Sequence, residues 1–486
     1  MSIKQWLSTR RVRHGLSASA IVLAAGGMVL LRTPASARPS LPFSTNSSTV
    51  GQGPLPSGPN TVHFSGNGAH GTLSLTQTSV LTGAQRRVFA ELRMVADASS
   101  EGRERAPLSM VVVLDTSGSM EGDKIRQAKE SVIALIGDMR DDDEIALVRY
   151  SSDSEVIQPL ARVGSVRREL LSRVQNIVAG GGTNIAPALS HGLRALNESG
   201  KGRVRRVVLV SDGLDSTRAQ SEGTARDSAG RGITVSTMGI GLDFDERYMS
   251  AVAESGRGNF AFVNDGPALA AFLSRELKEG ASTTVEGATA RLTLPRGMRL
   301  VRAVGGDASQ GEGGEVTVRL GSLFAGDERR VTLELDVQLA DGEQAPLAGQ
   351  VTWDRVGAGP ESATLAGLQL VGTSDSRTAE TSRDPAIGAS VESAVASVRQ
   401  MEAAEAYAKG NTARAQQIIA ENVASLAAAA TAAPAAEAEA LRKQEAAYKE
   451  TADGFRAAPP ASPEGKVKAK ASMAQDSGNL GRKAAF

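Results

Sequence analysis

Residues 110–120 read MVVVLDTSGSM. The apolar run from Met110 to Leu114 is typical of a short strand that is buried on both faces of a parallel sheet. Asp115 follows it directly, and Ser117 and Ser119 stand at alternate positions. A carboxylate and two hydroxyls at the end of such a strand indicate either a loop that caps the next helix or a set of oxygen ligands.

The pattern around this stretch predicts a doubly wound α/β domain with a mainly parallel sheet over residues 108–279. Short apolar runs alternate there with stretches of helical periodicity, as expected for strands covered by helices on both faces. The predicted strands cover 110–114, 145–150, 206–211 and 233–239. The predicted helices cover 122–139, 165–177, 186–198, 218–229 and 266–279.

Two further polar clusters follow predicted strands or precede a predicted helix. GGGTNIAPAL (180–189) contains Thr183, and VVLVSDG (207–213) ends on Asp212 and a glycine. Ligands of open parallel sheets bind outside the carboxyl ends of the strands, so we expect these residues at one edge with Asp115, Ser117 and Ser119. An all-oxygen set with two carboxylates suits Mg²⁺, Mn²⁺ or Ca²⁺ and does not suit Zn²⁺ or Cu²⁺.

The motifs DTSGSM, GGTNI and VSDG, in this order on alternating strands and helices, resemble a von Willebrand factor type A (vWA) domain. The metal-ion-dependent adhesion site (MIDAS) of that family has the pattern Asp-x-Ser-x-Ser, then Thr, then Asp. The resemblance implies that the hydroxyls contact a divalent cation, that the aspartates act directly or through water, and that a partner's Asp or Glu completes the coordination. The matching metal-site residues are Asp115, Ser117, Ser119, Thr183 and Asp212.

The segments on either side of the α/β domain have a period of two, which is typical of antiparallel strands. The segment at 61–105 is too small to bury a face alone, whereas 282–372 reads as a β-sandwich. We therefore predict that the two pair into one sandwich with the α/β domain inserted between its halves. This architecture broadly resembles exported bacterial vWA proteins and the inter-alpha-trypsin-inhibitor heavy chains.

The C-terminal third is rich in alanine and charged residues. Its pattern predicts a helical region at 384–458, with breaks at Gly410-Asn411 and Pro434, and a partly disordered spacer is the alternative. The predicted helices lie near 385–409, 412–430 and 435–456. Residues 459–486 have little to bury and are predicted to be a flexible tail.

The N-terminus predicts export. Residues 1–37 combine basic residues, an apolar stretch and Ala35-Ser36-Ala37, which together are typical of a signal peptide. An uncleaved membrane anchor is the alternative, because the apolar stretch from Leu16 to Leu31 is near the lower limit for a span. Residues 38–60 are rich in Pro, Ser and Gly and are predicted to be a disordered linker.

Composition narrows the possible functions. The 486 residues contain no cysteine, which excludes disulfides, a catalytic thiol and thiolate metal sites. Lys and Arg number 54 and balance 54 Asp and Glu without forming a stripe, so nothing indicates a nucleic-acid partner. The sequence also lacks a nucleophile elbow and a phosphate-binding loop.

Several polar residues have ordinary structural explanations. Ser117 and Ser119 could cap the following helix, and Asp212-Gly213 could be a plain turn. Asp141 to Glu144 reads as a solvated turn rather than a second metal site. For Asp243 and Asp245, turn and N-cap roles are favoured over metal binding, and His191 reads as a surface or packing residue of a helix.

These observations together predict an exported, metal-ion-dependent protein-binding or adhesion module of the cell envelope, and not an enzyme. Its cofactor would be Mg²⁺, with Mn²⁺ or Ca²⁺ as alternatives, and its partner would be a protein that presents an Asp or Glu carboxylate. The alternative is a structural envelope assembly protein in which the metal only stabilises the fold.

Overall fold

The structure, a computed structural model, describes residues 55–98, 105–200, 202–263 and 266–480. The predicted signal peptide and most of the predicted linker lie outside these residues. The last linker residues are described, and Asn60 among them is buried. Its amide donates hydrogen bonds to the carbonyl oxygens of Leu75 (3.1 Å) and Ser382 (3.0 Å). Asn60, predicted as part of the linker, is therefore held in the fold by hydrogen bonds.

The α/β unit follows four N-terminal strands and contains a six-stranded sheet. The N-terminal strands are β1 (Thr61–Gly66), β2 (Ala69–Leu75), β3 (Ser79–Leu81) and β4 (Arg86–Ala96). The strands of the unit are β5 (Leu108–Asp115), β6 (Glu144–Tyr150), β7 (Ser154–Arg162), β8 (Val204–Ser211), β9 (Ile233–Ile240) and β10 (Arg257–Val263). Its helices are α1 (Asp123–Asp138), α2 (Val163–Gln175), α3 (Ile185–Ala195), α4 (Arg218–Ala229), α5 (Glu246–Ser255) and α6 (Gly266–Ala281).

The strand order of this sheet is β10-β9-β8-β5-β6-β7. All neighbours are parallel except β7, which runs antiparallel to β6. Every residue of β5 is buried, because alternate side chains enter different cores. Met110 and Val112 belong to the core that includes residues of α1, α2 and α6, whereas Val111 and Val113 belong to the core with α3 and α5. The prediction of a doubly wound unit is confirmed, and the structure adds the edge strands β7 and β10.

The polypeptide after α6 returns to β structure. Its strands are β11 (Thr283–Thr293), β12 (Met298–Val304), β13 (Asp307–Gln310), β14 (Glu315–Phe324), β15 (Glu328–Val337), β16 (Gln344–Arg355) and β17 (Gly359–Thr373). One sheet has the order β1-β2-β4-β15-β12 and the other β13-β14-β11-β16-β17-β3. In the first sheet β4 and β15 are antiparallel partners, with Ala90 opposite Leu333. The predicted pairing of the two β segments across the inserted α/β unit is therefore confirmed.

The C-terminal region is helical. It contains α7 (Ser376–Thr381), α8 (Pro385–Ala408), α9 (Thr412–Ala432), α10 (Ala435–Ala457) and α11 (Pro463–Asn479). Helix α8 packs on the first sandwich sheet, where Ile387, Val391 and Val395 meet Phe89. The three helices predicted between residues 385 and 456 are present, so this region is not a disordered spacer.

The prediction of a flexible tail from residue 459 is wrong for residues 463–479. Helix α11 begins at Pro463, with Ser462 as its N-cap, and its Ala469 and Met473 join the core of the helical region. It also contacts the α/β unit, because the Lys470 ammonium donates to the carbonyl oxygen of Phe244 at 3.0 Å. The composition of α11 predicts little buried apolar surface. Its small residues nevertheless allow the helix to pack closely against its neighbours. Within the described part of the chain, no helix is both long and apolar enough to cross a membrane.

Candidate metal centre

The loops at the carboxyl ends of β5 and β8 hold two buried carboxylates. Asp115 is the last residue of β5 and is fully buried. Its Oδ1 accepts a hydrogen bond from the backbone amide of Ser117 (2.8 Å), and its Oδ2 accepts one from the hydroxyl of Ser211 (2.8 Å). Both oxygens are therefore fixed in direction, one by the following loop and one by the neighbouring strand.

Asp212 directly follows β8 and is also fully buried. Its Oδ1 accepts a hydrogen bond from the hydroxyl of Ser119 at 2.8 Å, and that hydroxyl lies 3.0 Å from the hydroxyl of Ser117. Its Oδ2 lies 2.5 Å from the ammonium of Lys124, near the start of α1. Four of the five predicted residues are thus linked through direct contacts.

Thr183 reaches the same edge through the loop that precedes α3. The amide of Gly180 donates to the carbonyl oxygen of Thr116 (2.7 Å), and the amide of Gly118 donates to that of Gly181 (2.9 Å). Gly181 has φ of 89°, a left-handed conformation that favours glycine. A Cβ on Gly213 would lie 2.5 Å from the Thr183 hydroxyl oxygen, so the threonine side chain lies against the turn that follows Asp212.

Three residues that contact the candidate site or its loops were not predicted from the sequence. Ser211 orients Asp115, Lys124 pairs with Asp212, and Asp215 accepts a hydrogen bond from the backbone amide of Ile185 at the start of α3 (2.6 Å). Ser211 stands inside the quoted VSDG motif, where its position at the end of a strand beside β5 could have suggested it. Lys124 carries no signal for a metal site, because an ammonium is not a ligand.

The electrostatics of this edge favour a bound cation. Burial raises the pKa of the Asp115 carboxyl, and the nearby charge of Asp212 adds to that rise, although hydrogen bonds from Ser117 and Ser211 oppose it. The donors are carboxylate and hydroxyl oxygens, which is the set that hard divalent cations prefer. Within the described ranges, no group of three or more His, Cys, Asp or Glu residues could hold a metal. A cation here would therefore depend on hydroxyl and water ligands beside the two carboxylates.

The other polar residues considered from the sequence have structural roles. Asp245 is the N-cap of α5 and accepts from the amide of Tyr248 (2.9 Å), as predicted. His191 lies on α3, with its Nδ1 at 2.7 Å from the Ser154 hydroxyl. The prediction that the acidic run at 141–144 is solvated is wrong for Asp143, which is buried and accepts hydrogen bonds from Arg105 and from the amide of Leu108.

Comparison with known proteins found a matching family model and several proteins of similar sequence. Residues 109–275 match the family model of the von Willebrand factor type A domain. The chain is 25% identical to the uncharacterized protein sll0103 of Synechocystis sp. over 55% of this chain and 67% of that protein. It is 27% identical to the uncharacterized protein YfbK of Escherichia coli over 40% of this chain and 35% of that protein. Human inter-alpha-trypsin inhibitor heavy chain H4 is 27% identical over 32% of this chain, but the match spans only 18% of that protein.

Solved structures show a shared fold over more of the chain. A von Willebrand factor type A protein from Catenulispora acidiphila superposes with a TM-score of 0.64 at 19% identity, covering 88% of this chain and 98% of its own. The ArnB paralog VWA2 from Sulfolobus acidocaldarius gives a TM-score of 0.55 at 16% identity, covering 84% and 98%. At these identities the likeness is one of fold. Taken with the family match, it shows that residues 109–275 form a von Willebrand factor type A domain.

Proposed function

We propose that this protein is an exported protein-binding module whose vWA domain captures a carboxylate of another protein through a divalent cation. The residues proposed to hold the cation are Asp115, Ser117, Ser119, Thr183 and Asp212. Mg²⁺ is the proposed ion, with Mn²⁺ or Ca²⁺ as alternatives. Export to the periplasm, cell envelope or exterior is proposed from the signal-like residues 1–37.

The observation that carries the proposal is the meeting of two buried carboxylates and two serine hydroxyls at one edge of the sheet. Two carboxylates with no exposed surface bring two negative charges to this edge, and the single ammonium of Lys124 balances one of them. Burying an unbalanced charge is costly, so such a site favours a further cation. Ser119 is exposed and Thr183 is half-buried, which leaves the site open to solvent on the side that a partner would approach.

Charge arithmetic supports an acidic partner. The two carboxylate ligands and Lys124 sum to −1, so a bound divalent cation would bring this set of three side chains to +1. Asp215, which accepts hydrogen bonds from the backbone amides of Ile185 and Thr217, lies outside the set. Such an ion supplies a Lewis acid that takes a carboxylate oxygen of another molecule. Hydroxyl ligands carry no negative charge, so Ser117, Ser119 and Thr183 would not neutralise the positive charge of the cation.

The alternative, a structural role in which the cation only stabilises the fold, makes a different prediction. The hydrogen bonds that link Asp115, Ser117, Ser119 and Asp212 are complete within the protein, and Lys124 already neutralises part of the charge. We therefore expect the domain to stay folded when the metal is removed. Unfolding of the vWA domain in EDTA would support the structural role instead.

The test uses isosteric variants of the two carboxylates. Asp115→Asn and Asp212→Asn should weaken Mg²⁺ binding, measured by calorimetry, by about a hundredfold or more, because each replaces a charged ligand by a neutral one at nearly the same shape. Asp243→Asn is the matched control, since this exposed carboxylate lies in the next loop at the same edge and pairs with Lys466 at 3.1 Å. Unchanged Mg²⁺ affinity in both site variants would refute the proposed metal site.

A further inference from the structure

Two large apolar side chains stand exposed on the loops that carry the proposed metal ligands. Val178 is 80% exposed and Leu214 is 68% exposed. The other exposed large apolar residues in the described part of the chain are Val156 and Val301, at 41% and 39%. Val178 lies five residues before Thr183, and Leu214 lies two residues after Asp212. The two most exposed of these side chains therefore lie on the two loops that carry Thr183 and Asp212.

The loop around Val178 is held in place by hydrogen bonds on both sides of that residue. The ammonium of Lys129 donates to the carbonyl oxygen of Ile177 at 3.1 Å. The amide of Gly180 donates to Thr116 (2.7 Å), and the amide of Gly182 donates to the hydroxyl of Ser152 (2.8 Å). Ile177 itself is buried. The exposure of Val178 is therefore a feature of an anchored loop.

Leu214 is fixed in the same manner. The amide of Gly213 donates to the Ser211 hydroxyl (3.3 Å). Asp215 accepts from the amide of Thr217 (2.8 Å) and from the amide of Ile185 (2.6 Å), so it ties the turn to α3. With anchored neighbours on both sides, the leucine side chain stays in solvent, where an apolar group of this size gains free energy if a partner covers it.

We infer that the partner segment of this site carries an Asp or Glu next to bulky aliphatic or aromatic side chains, which would cover Val178 and Leu214. This inference rests on the proposed function, since the proposed cation selects the acidic residue. The two apolar residues add a second requirement, which is an apolar surface on the partner. Val178 lies on the loop that carries Thr183, and Leu214 lies on the turn after Asp212, so we expect the apolar residues of the partner to lie close in sequence to the acid.

The test uses an array of synthetic heptapeptides with a central Asp and systematically varied flanking residues. The full chain is applied in millimolar Mg²⁺ and again in EDTA. In Mg²⁺ we expect peptides flanked by Leu, Ile or Phe to bind about tenfold more tightly than peptides flanked by Ser. Burying even part of an aliphatic side chain gains enough binding free energy for a change of this size in affinity. Replacing the central Asp by Asn should abolish the signal for both sets.

The protein variants separate this inference from the proposed function. In Val178→Ser/Leu214→Ser the ratio of the affinities for apolar-flanked and Ser-flanked peptides should fall to nearly one. The Mg²⁺ affinity measured by calorimetry should stay as in the wild type. Val301→Ser, an exposed valine of β12 in the sandwich, is the control and should keep the preference. Mg²⁺-dependent binding without an apolar preference, or a preference that survives the double substitution, would overturn the inference alone. A complete lack of Mg²⁺-dependent binding would overturn the proposed function and the inference with it.

Discussion

Lys124 is the residue at which the proposed metal affinity can be raised. Its ammonium lies 2.5 Å from Oδ2 of Asp212, and the aliphatic part of its side chain lies beside Gly241. A divalent cation on Asp212 has to displace this ammonium or accept a positive neighbour. We therefore predict that Lys124→Met, which keeps most of the side-chain volume but removes the charge, strengthens Mg²⁺ binding.

The magnitude follows from the ion pair. At 2.5 Å and an effective dielectric constant of about 20, the attraction of the two charges is about 7 kcal/mol before desolvation is subtracted. Asp212 is fully buried while the Lys124 side chain is 29% exposed, so desolvation and screening remove a large part of that attraction. If about 1.4 to 2.8 kcal/mol is released to metal binding, the affinity for Mg²⁺ rises about tenfold to a hundredfold.

Calorimetry and thermal unfolding together test this prediction. Without metal, Lys124→Met should unfold at a lower temperature than the wild type, because Asp212 is left buried without its partner. Saturating Mg²⁺ should then raise the unfolding temperature more in the variant than in the wild type. Lys278→Met is the control, since Lys278 is exposed on α6 and its loss changes the net charge equally. A variant with wild-type or weaker Mg²⁺ affinity would refute the reasoning.

Two further substitutions test the site and the helical region. Gly213→Ala should weaken Mg²⁺ binding by about tenfold or more, since the added Cβ would lie 2.5 Å from the Thr183 hydroxyl oxygen. Gly180→Ala, in open space on the loop that carries Thr183, should have no effect in calorimetry. Burial on α11 raises the pKa of Asp476 from 3.8 to about 8, so the folded protein holds a proton that the unfolded chain releases. In urea titrations, the free energy of unfolding should therefore fall by up to several kcal/mol as the pH rises from about 4 to about 8. Asp476→Asn should remove this part of the pH dependence, and an unchanged slope in that variant would show that Asp476 is not its source.

The local sequence pattern was sufficient to predict most helices and strands of the α/β unit and the grouping of the candidate metal-site residues. A run such as Met110–Leu114 can be buried on both faces only inside a covered sheet, and parallel strands bring their carboxyl ends to one edge. The sequence therefore predicted that Asp115, Thr183 and Asp212 lie at one edge. In the structure Asp115 and Asp212 are linked through Ser117 and Ser119, and Thr183 lies against the turn that follows Asp212. The edge strands β7 and β10 were not predicted, because β7 mixes apolar with polar and exposed positions and β10 has only the short apolar run at 260–263.

Only the tertiary structure determines the contacts between residues that are far apart in the chain. Lys124 and Asp212 are 88 residues apart, and nothing in the periodicity of α1 indicates that its first turn faces a carboxylate on another loop. Helix α11 shows the same limit: its small and polar residues predict little burial, yet they fit against α8 and α10 and around the buried Asp476. Periodicity indicates which side of a helix or strand is buried. The partners against which that side packs depend on how elements distant in sequence approach one another. A single sequence carries no local signal for that approach.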